Sequence, residues 1–148
     1  MKPPALPTIP PLDLDGFKLD IQYYVRKEYL DIGEAACELP SIIEWLNFQH
    51  QIALEQKLRK KAELERIEAT AYFELKGGTF QDKGYGDKPT LDALKAAIAL
   101  DERVAELNED VAVWSALEDR LERSARSLTG KFELVRSSEA TRRKLVES

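Results

Sequence analysis

Residues 104–135 read VAELNEDVAVWSALEDRLERSARSLTGKFELV, and apolar side chains recur in them every three or four positions. This spacing places the apolar residues on one face of a helix and is typical of a helix that packs against other helices. Glu118 occupies one core-type position, and we expect it at the edge of the seam. Thr129-Gly130 weakens the helix without having to end it. The apolar positions of the seam are Val104, Leu107, Val111, Trp114, Leu121, Ala125, Leu128, Phe132 and Val135.

A second long helix is predicted over residues 42–76. Ser41 before it and Glu44 in its first turn have the form of a capping box, in which the serine oxygen accepts an amide proton three residues on and the glutamate reaches back to the amide of the serine. Gly77-Gly78 can supply the left-handed conformation that closes a helix. The apolar stripe consists of Ile42, Trp45, Leu46, Ile52, Leu64, Ile67, Ala71 and Leu75, and it is interrupted by Gln49, Gln56 and Lys60. These polar residues predict central turns that are partly wet.

The remaining segments divide the chain further. Residues 1–12 hold five of the seven prolines, which predicts an extended arm that is either a free tail or a contact to a neighbouring subunit. Residues 13–39 form an acidic amphipathic segment with a predicted helix that Gly33 ends or bends. The apolar side of this helix consists of Phe17, Ile21, Tyr24 and Val25. Residues 77–89 form a glycine-rich joint, after which Thr90 caps a short helix and Asp101 offers a further cap.

These elements predict an all-α protein of long antiparallel helices. Residues 40–148 form the helical hairpin domain, and its last helix is the oligomerisation helix. No stretch has the alternation typical of a strand, and no internal repeat is visible. Because the two long helices carry more apolar surface than one hairpin can cover, we expect a homo-oligomer whose interface uses Val104, Leu107, Val111, Trp114, Leu121 and Leu128.

Composition limits the classes of function. The 148 residues include 22 basic and 27 acidic side chains, for a net charge of −5. An acidic chain is not a general, whole-surface nucleic-acid binder, although a local basic patch can still act. No apolar stretch reaches the length needed to span a bilayer and no signal peptide is evident, so we expect an intracellular protein that does not bind membranes. The single cysteine, Cys37, predicts a small buried apolar residue.

The sequence carries little that suggests catalysis. His50 is the only histidine, and it cannot complete a metal shell with one distant cysteine. We therefore predict a surface or interface histidine. Nucleophile elbows, phosphate loops and dinucleotide fingerprints are absent from the sequence. These observations predict a protein that is not an enzyme and needs no cofactor or metal.

Charge is distributed unevenly along the chain. Residues 101–119 hold seven acids and one base, residues 120–148 hold eight bases and four acids, and residues 57–61 hold four cations and no acid. The acidic stretch at 101–119 and the basic stretch at 120–148 can pair with each other between subunits. The run at 57–61 is either a solvated helix face paired with Glu55, Glu63 and Glu65, or a contact for a polyanion.

The order of several motifs resembles the UvsY family of phage recombination mediator proteins over about residues 35–145. LPSIIEWLN at 39–47 leads into a basic helix, IEATAYFELKGG at 67–78 places an aromatic pair before a glycine turn, and LKAAIALDERVAEL at 94–107 precedes Trp114 and a basic tail. The family pattern matches Trp45-Leu46, Tyr72-Phe73 with Gly77, and the step from Asp101 to Val104.

The resemblance implies a non-enzymatic function. Members of the family form homo-oligomeric rings, bind single-stranded DNA and help a RecA-like recombinase replace the single-strand DNA-binding protein. It also implies a location in the cytoplasm of the infected bacterial host. Repetition of one weak basic patch around a ring turns it into tight strand capture.

One turn departs from the family pattern. The family has basic residues just before the aromatic pair, whereas this chain has Ile67-Glu68-Ala69-Thr70. Either the basic patch lies earlier on the helix, or the protein mainly bridges other proteins. The alternative function is a structural or assembly protein, such as a virion component or coiled-coil scaffold, that binds only protein. The resemblance and the charge run together suggest DNA contacts at Lys57, Arg59, Lys60, Lys61, Arg66, Lys76, Phe80, Lys83 and Tyr85.

Overall fold

The computed structural model describes residues 11–14, 17–79, 83–84 and 90–147. It is mostly helical, as predicted. The elements are β1 (Leu12–Leu14), β2 (Phe17–Leu19), α1 (Ile21–Arg26), α2 (Ile32–Glu74), a π-helical turn (Leu75–Thr79), α3 (Leu91–Ala99) and α4 (Glu102–Glu147). By its internal contacts the chain divides into a terminal unit, made of Met1–Gln49 and Arg120–Ser148, and a central unit, His50–Asp119. The predicted arm at residues 1–12 lies outside the described residues except for its last two positions.

The described part of the terminal unit begins with two short strands, which corrects the prediction of a helix through Phe17. β1 and β2 pair antiparallel in the register Leu12↔Leu19 and Leu14↔Phe17. The sequence between them is Asp15-Gly16, a dipeptide that favours two-residue hairpin connections, and this signal was missed. Leu12 and Leu19 are buried, whereas Phe17 packs its ring 5.2 Å from that of Trp45.

The long helix α2 starts earlier than predicted. Asp31 Oδ1 accepts the amide proton of Glu34 at 2.8 Å, and Glu34 Oε2 accepts that of Leu30 at 3.0 Å. This reciprocal cap begins the helix at Ile32, so the capping box proposed at Ser41 does not form and Pro40 lies inside the helix. The carboxylates of Asp31 and Glu34 give hydrogen-bond partners to two amides at the start of the helix that would otherwise have none. These two hydrogen bonds offset the one that Pro40 removes within the helix.

The core of the terminal unit is aliphatic. It combines residues of the strands, of α1, of the first part of α2 and of the second part of α4. Cys37 is exposed, so the prediction of a buried cysteine is wrong. Thr129-Gly130 lies within α4 without ending it, as predicted. The largest fully buried side chains are Leu12, Ile21, Leu39, Leu46, Leu121 and Leu128, together with the polar Ser124.

The central unit is an antiparallel helical hairpin. Lys57 pairs with Glu118, Lys60 with Asp110 and Arg103 with Glu74, so residue numbers rise along α2 as they fall along α4. At the closed end, Leu75, Leu94 and Ala97 form a buried cluster.

Three predicted helix boundaries around the joint are confirmed. Gly78 has a φ of 118°, a left-handed conformation that favours glycine and ends the π-helical turn. Thr90 caps α3 by accepting the amide proton of Ala93 at 3.2 Å. Asp101 Oδ1 accepts the amide proton of Arg103 at 2.9 Å and so caps α4.

Candidate nucleic-acid interface

The outward face of α2 in the central unit carries arginine and phenylalanine at regular spacing. Arg59, Arg66 and Phe73 follow one another every seven residues, which is close to two turns of a helix. Ala62 and Ala69 lie between them on the same face. All five residues are exposed, and we call them the outer stripe. The small alanines leave room for a ligand to approach the helix between the larger side chains.

The aromatic pair at the end of the outer stripe divides into an anchor and a free ring. Tyr72 is half-buried and packs against the cluster formed by Leu75, Leu94 and Ala97. Phe73 leaves 70% of its surface exposed and meets Tyr72 edge-on, with ring centroids 5.6 Å apart. Lys76 Nζ lies 5.6 Å from the centroid of Tyr72. The fixed tyrosine therefore holds a phenylalanine whose face is open to a stacking partner.

Lys57 lies on the opposite face of α2, where the fold neutralises it. Its Nζ is 2.8 Å from Glu118 Oε2, and only 19% and 16% of the two side chains are exposed. The hydrogen bond from Lys57, more than any other contact, holds the pKa of Glu118 below its usual value. Glu118 lies at the core-type position of α4 that was predicted for it, but its pairing with Lys57 could not be predicted from the sequence. An approaching phosphate would have to displace this carboxylate, so Lys57 is withdrawn from the candidate DNA contacts.

His50 belongs to the same polar cluster. Its Nε2 lies 3.4 Å from Glu118 Oε1, and 19% of its side chain is exposed. Of its three residues, only Glu118 was predicted at a core-type position. The residues that interrupt the apolar stripe of α2, Gln49, Gln56 and Lys60, are not part of this cluster, so the partly wet centre stays a prediction.

Two more cations of the basic run make ion pairs. Arg59 Nη2 is 2.6 Å from Glu55 Oε1, and both side chains are mostly exposed. Lys60 Nζ lies 3.8 Å from Glu63 and 3.6 Å from Asp110 of α4. The helix-face pairs with Glu55 and Glu63 were among the alternatives drawn from the sequence. The contacts to α4 were not, because they depend on which residues the hairpin brings opposite each other.

Other candidate cations remain exposed. Among the described residues, Lys61 and Arg66 make no side-chain ion pair. Lys83 is exposed, and its charge is one of the smaller influences on Asp101. Phe80 and Tyr85 lie outside the described residues. Of the predicted DNA contacts, the structure therefore brings Arg59 and Arg66 onto the outer stripe, with Lys76 beside Phe73, which was not among them. Lys61 lies one turn after Lys57 and is nearer the opposite face of α2.

The end of the hairpin near the joint is fixed by a charged network. Arg103 donates to Asp101 at 2.8 Å and to Glu74 at 2.9 Å. The side-chain hydrogen bond from Arg103 lowers the pKa of Asp101 to about 2. The bond from Arg103 to Glu74 ties the end of α2, which carries Phe73, to the start of α4.

The predicted oligomer seam is largely used within one chain. Val104 and Leu107 are buried in the central unit, and Leu121 and Leu128 are buried in the terminal unit, each with at most 7% of its surface exposed. Only Val111 and Trp114 are half-buried. The four buried residues offer almost no area to another subunit, because the chain's own helices cover them. They are therefore reassigned from the oligomer interface to the core of the protomer.

Comparisons with known proteins return no relative. No family model, no curated protein and no solved structure matches this chain. Within the described residues, no helix combines the length and the apolar character needed to cross a membrane.

Proposed function

We propose that this chain is a non-enzymatic recombination mediator that binds single-stranded DNA through the outer stripe of α2. In this function it helps a RecA-like recombinase take the place of the single-strand DNA-binding protein. Two observations support the proposal: the ordered motifs that resemble the UvsY family, and the exposure of Arg59, Arg66 and Phe73 at seven-residue spacing. The spacing is the observation that carries the proposed binding surface.

The chemistry of the outer stripe suits a single strand. Guanidinium groups bind phosphates, and an exposed aromatic ring stacks on any base without reading sequence. From Arg59 to Phe73 the stripe extends about 21 Å at the rise of an α-helix. A single strand can follow this length with its backbone on the arginines and one base on Phe73.

The stripe of one protomer is a weak site. Arg59 Nη2 is already paired with Glu55 Oε1 at 2.6 Å, and the whole chain is acidic, with a net charge of −5. Exposed ion pairs contribute little, so a phosphate can exchange with Glu55 at small cost. Tight capture then requires several stripes on one strand, which a homo-oligomer provides through multivalency.

An assembly protein that binds only protein is the second candidate. The pairing of Lys57 and Lys60 with Glu118 and Asp110 favours it, because these cations of the basic run stabilise the hairpin. Binding through phosphates weakens steeply with salt, whereas contacts between apolar surfaces respond little. Salt dependence therefore separates the two candidates.

The deciding experiment is a titration of fluorescent oligo-dT at several salt concentrations. We expect the double variant R59A/R66A to weaken binding and to reduce the salt slope by roughly two phosphate contacts per protomer. F73A should weaken binding with little change of slope, because stacking contributes about 1–3 kcal/mol per base. The matched control is K95A, which removes an exposed cation of α3. Equal affinity and slope for wild type and R59A/R66A would exclude this surface.

A further inference from the structure

The two flanks of the outer stripe carry different charges. On one flank lie the exposed Glu65 and Lys76, one acid and one base that cancel. On the other flank lie Glu63 and Glu74, eleven residues apart, which is close to three turns of the helix. Between them on that flank is the neutral Thr70, and we call Glu63 and Glu74 the acidic flank. A negatively charged ligand on the stripe therefore meets like charge on one side of α2 only.

Glu63 lies directly beside the two arginines of the stripe. It follows Arg59 by four residues and precedes Arg66 by three, and side chains at these spacings are neighbours on a helix. Its carboxylate lies 3.8 Å from the ammonium of Lys60, which also lies 3.6 Å from Asp110 of α4. One ammonium shared by two carboxylates leaves one negative charge beside the stripe.

Glu74 is shared in the same way at the end of the stripe. Its side chain is 49% exposed, and it accepts a hydrogen bond from Arg103 at 2.9 Å. The same guanidinium donates to Asp101 at 2.8 Å, so one cation again serves two carboxylates. The charge of Lys83 is only one of the smaller influences on Asp101. The acidic flank therefore keeps negative charge at both of its positions.

This asymmetry bears on which form of DNA the stripe can hold. The major groove of a duplex is about 12 Å wide and admits an α-helix, and its two walls carry the phosphates of the two strands. A helix of about 10–12 Å with its side chains therefore presents one flank to each strand. In such a groove the acidic flank would face phosphates. A single strand has only one backbone, which the arginines of the stripe can hold.

From this difference we infer that Glu63 and Glu74 exclude duplex DNA from the outer stripe and so make it selective for a single strand. The two glutamates are specificity-determining residues, and they act by repelling the second strand. The sequence suggested Glu63 only as a partner of the basic run, and it suggested no role for Glu74. The inference rests on the proposed function, because it concerns the ligand of the same site.

Parallel titrations of a fluorescent mixed-sequence strand and of the duplex that it forms with its complement test the selectivity. We expect wild type to bind the strand more tightly than the duplex. The variant E63Q/E74Q removes both charges with little change of side-chain size. It should raise the affinity for the duplex at least about tenfold and that for the strand less than about threefold, because like charges set against each other oppose binding. Equal gains for strand and duplex would overturn the inference, as would a wild type that binds both equally.

The matched control is E106Q/E109Q, which removes two exposed acids of α4 and changes the net charge by the same amount. It should raise the affinities for strand and duplex by similar, small factors, because charges beyond about 8 Å are largely screened at physiological salt. Circular dichroism checks that each variant is folded. A gain in duplex affinity as large as that of E63Q/E74Q would show that net charge, and not the acidic flank, sets the selectivity.

A combined variant separates this inference from the proposed function. In R59A/R66A/E63Q/E74Q the gain in duplex affinity should be largely lost, because the duplex admitted by E63Q/E74Q is held by the two arginines. If the gain persists, the duplex binds elsewhere and the inference is wrong. If R59A/R66A weakens strand binding but E63Q/E74Q leaves the ratio of the two affinities unchanged, the inference fails and the proposed function stands. If R59A/R66A has no effect on strand binding, both fail.

Discussion

In the central unit, the inner face of α2 sets Lys57 against Glu118, whereas the outer face leaves Arg66 and Phe73 exposed. Both faces belong to the same short stretch of α2, and the residue types in that stretch do not show which cations are neutralised and which are exposed. It arises because α4 supplies carboxylates to one side of α2 only. A lysine or arginine can therefore be proposed to bind a ligand only once the structure shows that no carboxylate of the opposite helix neutralises it.

The largest expected difference between the faces concerns stability. L75A removes a buried leucine of the cluster at the end of the hairpin and should lower the free energy of unfolding by about 2–5 kcal/mol. F73A, two residues away, should change it by less than about 1 kcal/mol, because its ring is mostly exposed. Urea denaturation of both variants measures this. Similar losses would mean that Phe73 is a core residue, and the outer stripe would lose its stacking group.

The polar cluster on the inner face should give the next largest effect. E118A leaves the ammonium of Lys57 half-buried without its carboxylate, which should cost about 1–3 kcal/mol. E55A removes the carboxylate of the exposed pair with Arg59 and should cost about 0.5 kcal/mol or less. Chemical denaturation at neutral pH compares the two. If E118A lowers the free energy of unfolding no more than E55A does, the pair of Lys57 with Glu118 contributes no more than an exposed ion pair.

Acid should weaken the hydrogen bonds that Asp101 accepts from Arg103 at the start of α4. The pKa of Asp101 is about 2 in the folded chain, below its ordinary value of 3.8. A lowered folded pKa stabilises the protein above the unfolded value, and that stability is lost as the pH falls from about 4 through 2. We expect the melting temperature of wild type to fall more steeply over this range than that of D101N. Asparagine still caps the helix, so the variant isolates the charge.

The smallest effect is expected for Arg59. R59A removes an exposed ion pair within one helix and should change stability by about 0.3–0.5 kcal/mol. Its interest lies in the contrast with strand binding, where the same residue is proposed to contact phosphate. Thermal melting provides the stability measurement and the oligo-dT titration provides the affinity. A larger stability loss than for E118A would reverse the assignment of the two faces.

Local signals were sufficient for much of the helical architecture. The three-four spacing predicted the long helices, and the caps at Thr90 and Asp101 and the left-handed Gly78 were identified from residue type alone. Two local signals were present and missed: Asp15-Gly16 between the strands, and the cap of Asp31 with Glu34. In both places apolar residues at helical spacing lie beside the turn or the cap, and that spacing alone predicts different element boundaries.

For the candidate site, the sequence determined that a basic run leads into an aromatic pair before a glycine turn. It also determined that α2 must bury one face, because helical spacing fixes which side chains lie together. Only the tertiary structure decided which cations are neutralised, because the pairs of Lys57 with Glu118 and of Lys60 with Asp110 depend on how α2 and α4 are aligned. The burial of the α4 seam has the same origin. Helical periodicity shows that a face is buried, but the packed elements determine whether the chain itself or another copy covers it.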